Sequence, residues 1–291
     1  MIQMARARSE GKTNALALVG LPLLLVAFLF SPLQATSEAA ESWNRFRGPN
    51  GSGIAPPEWK PPIEIGPACE AWRTPVPAGL SSPVISGERI FLTGIAKDRL
   101  VTLALNRETG SLLWSQTAPG MASEKVHAAS SPAASTPLVR DGRLFVYFGS
   151  FGLLCYDLDG NELWRKPIPT PKSLYGMSTS PIAYGDHIIL VLDSDRNLPG
   201  SEVSESRILA VNASNGETAW ETPRPLQRSS WSTPAIWSHR HGQDLVVLGG
   251  RRATGYDPAT GAERWFVTGF SKETIAIPIS GADHLYLCLL Y

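Results

Sequence analysis

Side chains that could carry chemistry are few in this 291-residue chain, and none stands at the spacing of a familiar catalytic or metal-binding motif. Histidine occurs five times, and only His239 and His241 lie close together, in the turn sequence "WSHRHGQD". Two alternate histidines at a loop tip are more typical of a solvated hairpin than of zinc ligands. The serines lack the "GxSxG" context of a hydrolase nucleophile. We therefore predict no metal site and no catalytic residue.

The three cysteines, Cys69, Cys155 and Cys288, are far apart and odd in number. Such a set does not make a disulfide framework, even in an exported protein. Cys155 stands at a repeated position that elsewhere holds alanine or glycine. We interpret it as a small hydrophobic packing residue rather than a redox group.

A polar turn with a glycine, followed four residues later by a tryptophan, occurs four times along the chain. The four stretches are "LNRETGSLLW", "YDLDGNELW", "VNASNGETAW" and "YDPATGAERW", with the glycines Gly110, Gly160, Gly216 and Gly261 and the tryptophans Trp114, Trp164, Trp220 and Trp265. An Asn or Asp before each glycine is expected to accept a backbone N–H two residues on, and the glycine to adopt a positive φ. Each tryptophan is predicted to be a structural wedge between neighbouring sheets.

The repeats also share their strand pattern. Each begins with Ser/Thr-Pro, as in "SSPVISGERIFLTG" and "STPLVRDGRLFVYFG", where the proline suits the start of a strand. A polar turn, a strand rich in Ile, Val, Leu and Phe, and two further strands around the glycine turn follow. Four short strands in about 50 residues are typical of a propeller blade. The sequence predicts an all-β fold, a β-propeller of four-stranded antiparallel blades.

This unit resembles the pyrroloquinoline-quinone (PQQ) type β-propeller repeat, with its "AlDxxTGxxxW" signature. The stretch "WNRFRGPNGSGIA", Trp43 to Ala55, resembles the leader of secreted bacterial proteins that carry this propeller. The resemblance implies an N-terminal leader over residues 40–71 and propeller repeats over residues 72–291. About four and a half blades are present where the family usually has seven or eight. We therefore expect the sequence to be a fragment or a prematurely ended reading frame.

Residues 1–39 are predicted to be a signal peptide. Arg6, Arg8 and Lys12 precede the apolar run from Ala15 to Phe30, and small residues suited to cleavage follow near positions 35 or 39. The alternative is an uncleaved membrane anchor. The mature chain is near neutral in charge, which argues against nucleic acid and anionic lipid as partners. We expect an exported protein, periplasmic or secreted, with no membrane span after cleavage.

Quinoprotein alcohol dehydrogenases share these repeats, and the resemblance implies what their chemistry would require. They bring an adjacent cysteine pair against the quinone, hold calcium with Glu, Asn and Asp side chains, and use a catalytic aspartate. No two cysteines are adjacent in this chain, and no calcium cluster of oxygen ligands is recognisable. We expect no cofactor, with PQQ and calcium as the alternative if part of the site lies in absent blades.

A ligand site, if one exists, is predicted at the mouth of the axial channel. The segments that lead into the innermost strands converge there, and three of them are rich in small polar groups. The candidate residues are His127, Tyr175, Ser178, Trp231 and Ser232, with Arg251 just after a second strand. The alternative is that these groups only hydrate the channel mouth.

Two functions remain open from the sequence. The first is an exported, non-catalytic scaffold that binds an envelope protein or a small ligand. Its architecture resembles the propeller lipoprotein of the outer-membrane assembly machinery, although the lipid-attachment cysteine is lacking. The second is a PQQ-dependent periplasmic dehydrogenase acting on alcohols or sugars.

Overall fold

The computed structural model describes residues 43–57, 59, 63–64, 66–120, 124–195, 204–270, 274–281 and 284–288. The predicted signal peptide and its cleavage sites lie outside these residues. In the described part of the chain, the helical turns are two short 3-10 segments, Pro49–Gly51 and Pro67–Cys69. No helix of this part is both long and apolar enough to cross a bilayer.

Four antiparallel sheets of four strands follow one another along the chain, each with its strands in sequence order. Blade 1 contains β1 (Val84–Ser86), β2 (Arg89–Ala96), β3 (Arg99–Asn106) and β4 (Leu112–Thr117). Blade 2 contains β5 (Leu138–Arg140), β6 (Arg143–Phe148), β7 (Gly152–Asp157) and β8 (Glu162–Pro167). The all-β prediction of four-stranded antiparallel blades is confirmed.

The next two blades repeat this order. Blade 3 contains β9 (Ile182–Tyr184), β10 (His187–Leu192), β11 (Arg207–Asn212) and β12 (Thr218–Pro223). Blade 4 contains β13 (Ala235–His239), β14 (Gly242–Gly249), β15 (Arg252–Tyr256) and β16 (Glu263–Thr268). A two-stranded sheet of β17 (Ile279–Ser280) and β18 (Leu285–Tyr286) comes after them.

Burial falls from the middle of each blade to its last strand. In blade 2, strands β6 and β7 are buried along almost their whole length, whereas β8 alternates exposed and half-buried residues. The hydrophobic clusters lie between blades: one joins Phe91 of blade 1 to Leu144 of blade 2, and another joins Ile189 of blade 3 to Leu245 of blade 4. Blades 2 and 3 therefore bury both faces against their neighbours, and their central strands consist of nearly continuous apolar runs.

The turns between the third and fourth strands have the predicted local geometry. Asn106 Oδ1 accepts the backbone N–H of Glu108 at 2.9 Å, and Asp157 Oδ1 accepts that of Asp159 at 2.9 Å. Equivalent bonds are made by Asn212 and Asp257. The four glycines that follow have φ between +69° and +89°. The predicted side-chain turn is confirmed in all four repeats.

The leader segment, residues 43–51, lies against the first strands of the blades. The carbonyl of Trp43 accepts the backbone N–H of Ile85 in β1 at 2.9 Å, and the carbonyl of Asn44 accepts that of Val139 in β5 at 2.8 Å. The side-chain amide of Asn50 donates to the carbonyl of Ile236 in β13 at 3.3 Å. The leader therefore ties together the inner strands of blades 1, 2 and 4.

Candidate functional site

The Ser/Thr-Pro segments before the inner strands join neighbouring blades. The backbone N–H of Ser82 donates to Thr136 Oγ1, that of Thr136 to Ser180 Oγ, and that of Ser180 to Thr233 Oγ1, each at 3.0 Å. Each acceptor directly precedes the proline of the next blade. We call this chain of bonds the inner clasp, and it satisfies buried backbone donors that no strand partner reaches.

Ser232, one of the predicted channel-mouth residues, belongs to a parallel set of bonds. It is fully buried, and its hydroxyl donates to the carbonyl of Ala276 at 2.7 Å. Ser135, at the equivalent position two blades earlier, likewise donates its hydroxyl to a backbone carbonyl, that of Thr179, at 3.0 Å. The Ser232 hydroxyl therefore donates its proton to a segment beyond blade 4, and that proton is not available to a ligand.

Three of the predicted residues form a contiguous aromatic row, which we call the aromatic arc: His127, Tyr175 and Trp231. The ring centroids of His127 and Tyr175 are 4.8 Å apart, and those of Tyr175 and Trp231 are 5.3 Å apart in an edge-to-face arrangement. His127 is exposed, and the other two are half-buried. The lead-in segments of blades 2, 3 and 4 each contribute one ring.

Backbone contacts hold the aromatic arc in place. The Trp231 indole N–H donates to the carbonyl of Gly176 at 3.1 Å. The backbone N–H of His127 donates to the carbonyl of Leu174 at 3.0 Å, which ties two lead-in segments together. Gly176 adopts a φ of +69°, and a Cβ there would lie 2.5 Å from a methyl of Val126, so the close approach of the segments requires glycine.

The remaining two predicted residues lie beside the aromatic arc rather than in it. Ser178 is half-buried on the same segment as Tyr175. Arg251 is exposed in the turn between β14 and β15, with a φ of +75°, and its carbonyl accepts the backbone N–H of Phe270 at 3.4 Å. In the described residues its side chain makes no hydrogen bond or ion pair that would direct it toward the aromatic arc.

The repeated tryptophans pack against the glycine turn of the following blade. A Cβ on Gly160 would lie 2.8 Å from the Trp114 ring, and one on Gly216 would lie 2.6 Å from the Trp164 ring. The Trp114 indole N–H donates to the carbonyl of Leu158 at 3.0 Å. Trp220 packs on Gly261 in the same way, and Trp72 packs on Gly110 ahead of blade 1. Each ring thus fills the gap between two sheets.

Trp265 makes different contacts from the other repeated tryptophans. Its indole N–H donates to Asp244 Oδ2 in the same blade at 2.6 Å, and its ring meets Trp237 edge-to-face at 6.3 Å. Asp244 also pairs with Arg264 at 2.6 Å and lies 3.3 Å from His239. The ring folds back over Gly255, the small residue directly opposite it in the ladder.

A family model described as outer membrane protein assembly factor BamB, built on PQQ-type repeats, matches residues 68–174 and 104–274. Together these matches cover well over half of the chain. The chain belongs to this PQQ-type β-propeller repeat family. No curated protein matches the sequence.

Solved structures align with this PQQ-type propeller at low sequence identity. A europium-containing methanol dehydrogenase aligns with a TM-score of 0.50 and 16% identity, over 69% of this chain and 45% of the other. BamB from Moraxella catarrhalis aligns with a TM-score of 0.48 and 15% identity, over 75% of this chain and 59% of the other. A quinohemoprotein alcohol dehydrogenase from Pseudomonas putida HK5 gives 0.46 and 14%, over 66% and 34%. The chain thus spans about three fifths of the BamB chain and less than half of each dehydrogenase chain.

The described residues of this PQQ-type propeller include neither a His, Cys, Asp and Glu cluster suited to a metal nor a cysteine pair like the one in quinoprotein dehydrogenases. No group of three or more His, Cys, Asp or Glu side chains that could hold a metal is found in the described part of the chain. Cys155 is buried opposite Trp164 in the β7–β8 ladder, whereas Cys69 and Cys288 are exposed elsewhere. No two cysteines lie side by side in this part of the chain.

Two buried polar groups near the aromatic arc were not predicted from the sequence. Glu124 Oε1 and the Tyr147 hydroxyl are buried, and within the described residues neither has a hydrogen-bond partner. Burial raises the pKa of the Glu124 carboxyl. Burial also raises the pKa of Tyr147, and the negative charge of Glu124 adds to that rise. No local pattern marks either residue, because their burial depends on how blade 2 meets the segment before it.

A buried ion pair connects the end of β10 to the end of β12. Arg224 Nε lies 3.0 Å from Asp193 Oδ1, and both side chains are almost completely inaccessible to solvent. Arg224 also donates to the Tyr256 hydroxyl of blade 4 at 3.3 Å. Desolvation raises the pKa of Asp193 to about 6, although the neighbouring guanidinium opposes the rise. The ion pair lies within blade 3, and the hydrogen bond from Arg224 to Tyr256 links it to blade 4. Sequence reasoning did not identify either residue.

Proposed function

We propose that this protein is an exported, non-catalytic scaffold of the bacterial cell envelope that binds a protein partner through its aromatic arc. The observation that carries the proposal is the row of His127, Tyr175 and Trp231, contributed by three successive blades and accessible from solvent. Tyrosine and tryptophan are enriched at the centres of protein interfaces, since one rigid ring contributes both apolar area and a polar group.

The surroundings of the aromatic arc suit a protein surface better than a small enclosed ligand. Leu174, next to Tyr175 in the chain, is 64% exposed. Apolar side chains displayed beside fixed aromatic rings form the kind of patch that a partner covers. The Trp231 ring donates to a backbone carbonyl, the His127 ring accepts a backbone N–H, and Tyr175 packs between them, so binding would require little ordering of the protein itself.

Two further features support an envelope location. The basic residues Arg6, Arg8 and Lys12 precede an apolar run of signal-peptide length. The family model is described as an outer membrane protein assembly factor, and a comparable scaffolding role is proposed for this chain. The alternative is a PQQ-dependent dehydrogenase acting on alcohols or sugars; the europium-containing methanol dehydrogenase shares the fold of this chain, which does not by itself indicate its activity.

Site-specific photo-cross-linking in cells of the source organism tests the proposal. Leu174→p-benzoylphenylalanine places the cross-linker beside the aromatic arc, and Leu163→p-benzoylphenylalanine, on the half-exposed outer strand β8, is the matched control. We expect one defined protein adduct from position 174 and none of that size from position 163. Tyr175→Ala and Trp231→Ala should abolish the adduct while the melting temperature shows that the protein is still folded.

Two results would contradict the scaffold. An adduct that persists in both arc variants would mean that the aromatic arc is not the binding surface. Turnover in a dye-reduction assay, with PQQ, Ca²⁺ and an alcohol or aldose added to the full-length protein, would establish the dehydrogenase instead.

A further inference from the structure

The Glu124 side chain lies against the backbone of the aromatic arc. A Cβ built on Gly176, the residue after Tyr175, would lie 3.4 Å from Glu124 Oε1. A Cβ built on Gly149, in the turn between β6 and β7, would lie 2.6 Å from the same oxygen. Two glycines from two different connections therefore leave open the space that this carboxyl oxygen occupies. We call this space the carboxyl socket.

The carboxyl socket has apolar walls and supplies no hydrogen-bond donor to Glu124 Oε1 in the part of the chain that the structure describes. Met177 contributes one wall, since its Cβ and Cγ lie 3.2 Å from the Cβ built on Gly149. Val126 contributes another, with a methyl 2.5 Å from the Cβ built on Gly176. The oxygen is also inaccessible to water. Ionisation of Glu124 in this position is therefore unfavourable, because a carboxylate needs donors or water, whereas the neutral acid loses less on burial.

No charged group among the described residues offsets this cost. Burial raises the pKa of the Glu124 carboxyl, and no described cation lowers it. Tyr147, near the end of β6, is close enough for the charge of Glu124 to raise its pKa further, and its buried hydroxyl stays neutral. The other titratable groups of the two segments, Lys125, His127 and Lys172, are exposed to water.

Hydrogen bonds join the segment that carries Glu124 to both sides of the carboxyl socket. The backbone N–H of Glu124 donates to Ser150 Oγ at 3.0 Å, which holds the segment to blade 2. Three residues later, the backbone N–H of His127 donates to the carbonyl of Leu174 at 3.0 Å. The His127 ring contacts Tyr175 directly beyond this bond. A carboxylate that leaves the socket for water therefore displaces the segment that holds the first ring of the aromatic arc against the second.

We infer that Glu124 is a pH-sensitive switch of the aromatic arc: the neutral acid fits the carboxyl socket and closes the arc, whereas the carboxylate opens the contact between His127 and Tyr175. Because folding raises the pKa of Glu124, the stability that its neutral form contributes is complete below the pKa of the unfolded chain. That stability is lost as the pH rises through the higher pKa of the folded protein. The consequence for partner binding rests on the proposed function, whereas the switch itself does not.

Amide hydrogen exchange of the full-length protein at pH 5 and pH 8, corrected for the intrinsic exchange rate, tests the switch without a partner. The reporter is the backbone N–H of His127, which bonds across the two segments. In the wild type its protection should be several-fold lower at pH 8 than at pH 5, and Glu124→Gln should remove that difference. The His127 side chain titrates in both proteins, so the comparison isolates Glu124. Glu108→Gln, at an exposed glutamate of blade 1, is the matched control and should behave like the wild type.

Thermal melting gives a second readout that does not depend on one amide. Glu124→Gln and Glu124→Met should both raise the melting temperature at pH 8, by about 2–4 °C, because they remove a buried oxygen that is charged and has no donor. The gain should disappear at pH 4, where Glu124 is protonated. Methionine fills the socket without an amide group that would itself lack a partner.

Two results overturn the switch. One is the same pH dependence of His127 protection in the wild type and in Glu124→Gln. The other is a lower melting temperature of both Glu124 variants at pH 8, because the carboxylate would then have a stabilising partner within the protein. Cross-linking from position 174 separates these results from a failure of the scaffold: an adduct without the exchange effect leaves the scaffold and removes the switch, whereas the exchange effect without an adduct does the reverse.

Discussion

The contact between Trp164 and Gly216 gives a quantitative test of how one blade is attached to the next. Gly216 has a φ of +75°, and a Cβ built on it would lie 2.6 Å from the Trp164 ring. Gly216→Ala therefore adds two penalties. A left-handed backbone at a non-glycine residue costs about 1–2 kcal/mol, offset by about 0.4–1 kcal/mol from the less flexible unfolded chain. Forcing a methyl into a packed contact costs about 1–3 kcal/mol more.

Gly142 provides the matched control for the backbone penalty. It sits in the turn between β5 and β6 with a φ of +69°, and no atom lies within 4 Å of a Cβ built on it. Gly142→Ala should therefore destabilise the protein by about 1 kcal/mol, from the backbone alone. Gly216→Ala should destabilise it by about 2–4 kcal/mol. The difference between the two variants measures the tryptophan contact.

Urea denaturation, followed by tryptophan fluorescence and far-UV circular dichroism, measures both values. A double-mutant cycle adds a second check: in the Trp164→Ala background, Gly216→Ala should cost only what Gly142→Ala costs, because the clash is gone. Equal destabilisation by the two glycine variants in the wild-type background would refute the account of blade packing. Additivity in the cycle would refute it as well.

Three further predictions concern other buried contacts. Ser180→Ala removes the acceptor of the Thr136 backbone N–H. It should lower the free energy of unfolding, measured by urea titration, by about 1–3 kcal/mol. A loss below about 0.5 kcal/mol would show that the inner clasp contributes little. Arg224→Met leaves Asp193 buried without its cation and should destabilise by about 3–5 kcal/mol at pH 8. The folded-state pKa of Asp193 is about 6 with Arg224 present and should rise further without it. The stability loss should therefore shrink as the pH falls toward 5, because Asp193 is then protonated in both proteins. A loss that does not depend on pH in melting experiments would contradict that reasoning. Burial raises the pKa of Cys155 to about 12, so only the other two cysteines should react with a thiol reagent in the native protein, and three reacting thiols without urea would be the contrary result.

Much of the fold could be predicted from the sequence because the repeated signals are local. An Asp or Asn, a glycine and a tryptophan at fixed spacing specify a turn and the strand after it, as at Asp157, Gly160 and Trp164. The alternating and continuous apolar runs specify which strands are buried on one face or both. None of these signals requires contact between distant parts of the chain.

The site was only partly predictable, because its members meet across blade boundaries. His127, Tyr175 and Trp231 were identified as candidates, but only the curvature of the blade stack places their rings in contact. Ser232, chosen by the same argument, instead donates its hydroxyl proton to the neighbouring segment. The direction of a side chain in a lead-in segment depends on what the next blade presents to it, which no local pattern encodes.

The sequence by itself determined the repeat, the blade and the turn chemistry of this protein, since each follows from short-range sterics and hydrogen bonding. Tertiary structure alone decided which polar groups lose their water. Arg45 lies in a leader recognised only by resemblance, and its burial arises from inner strands more than 30 residues away. Trp265 carries the same local motif as Trp164, yet its indole bonds to Asp244 of its own blade. Desolvation and packing between sheets are long-range properties, and they decide where this propeller can bind.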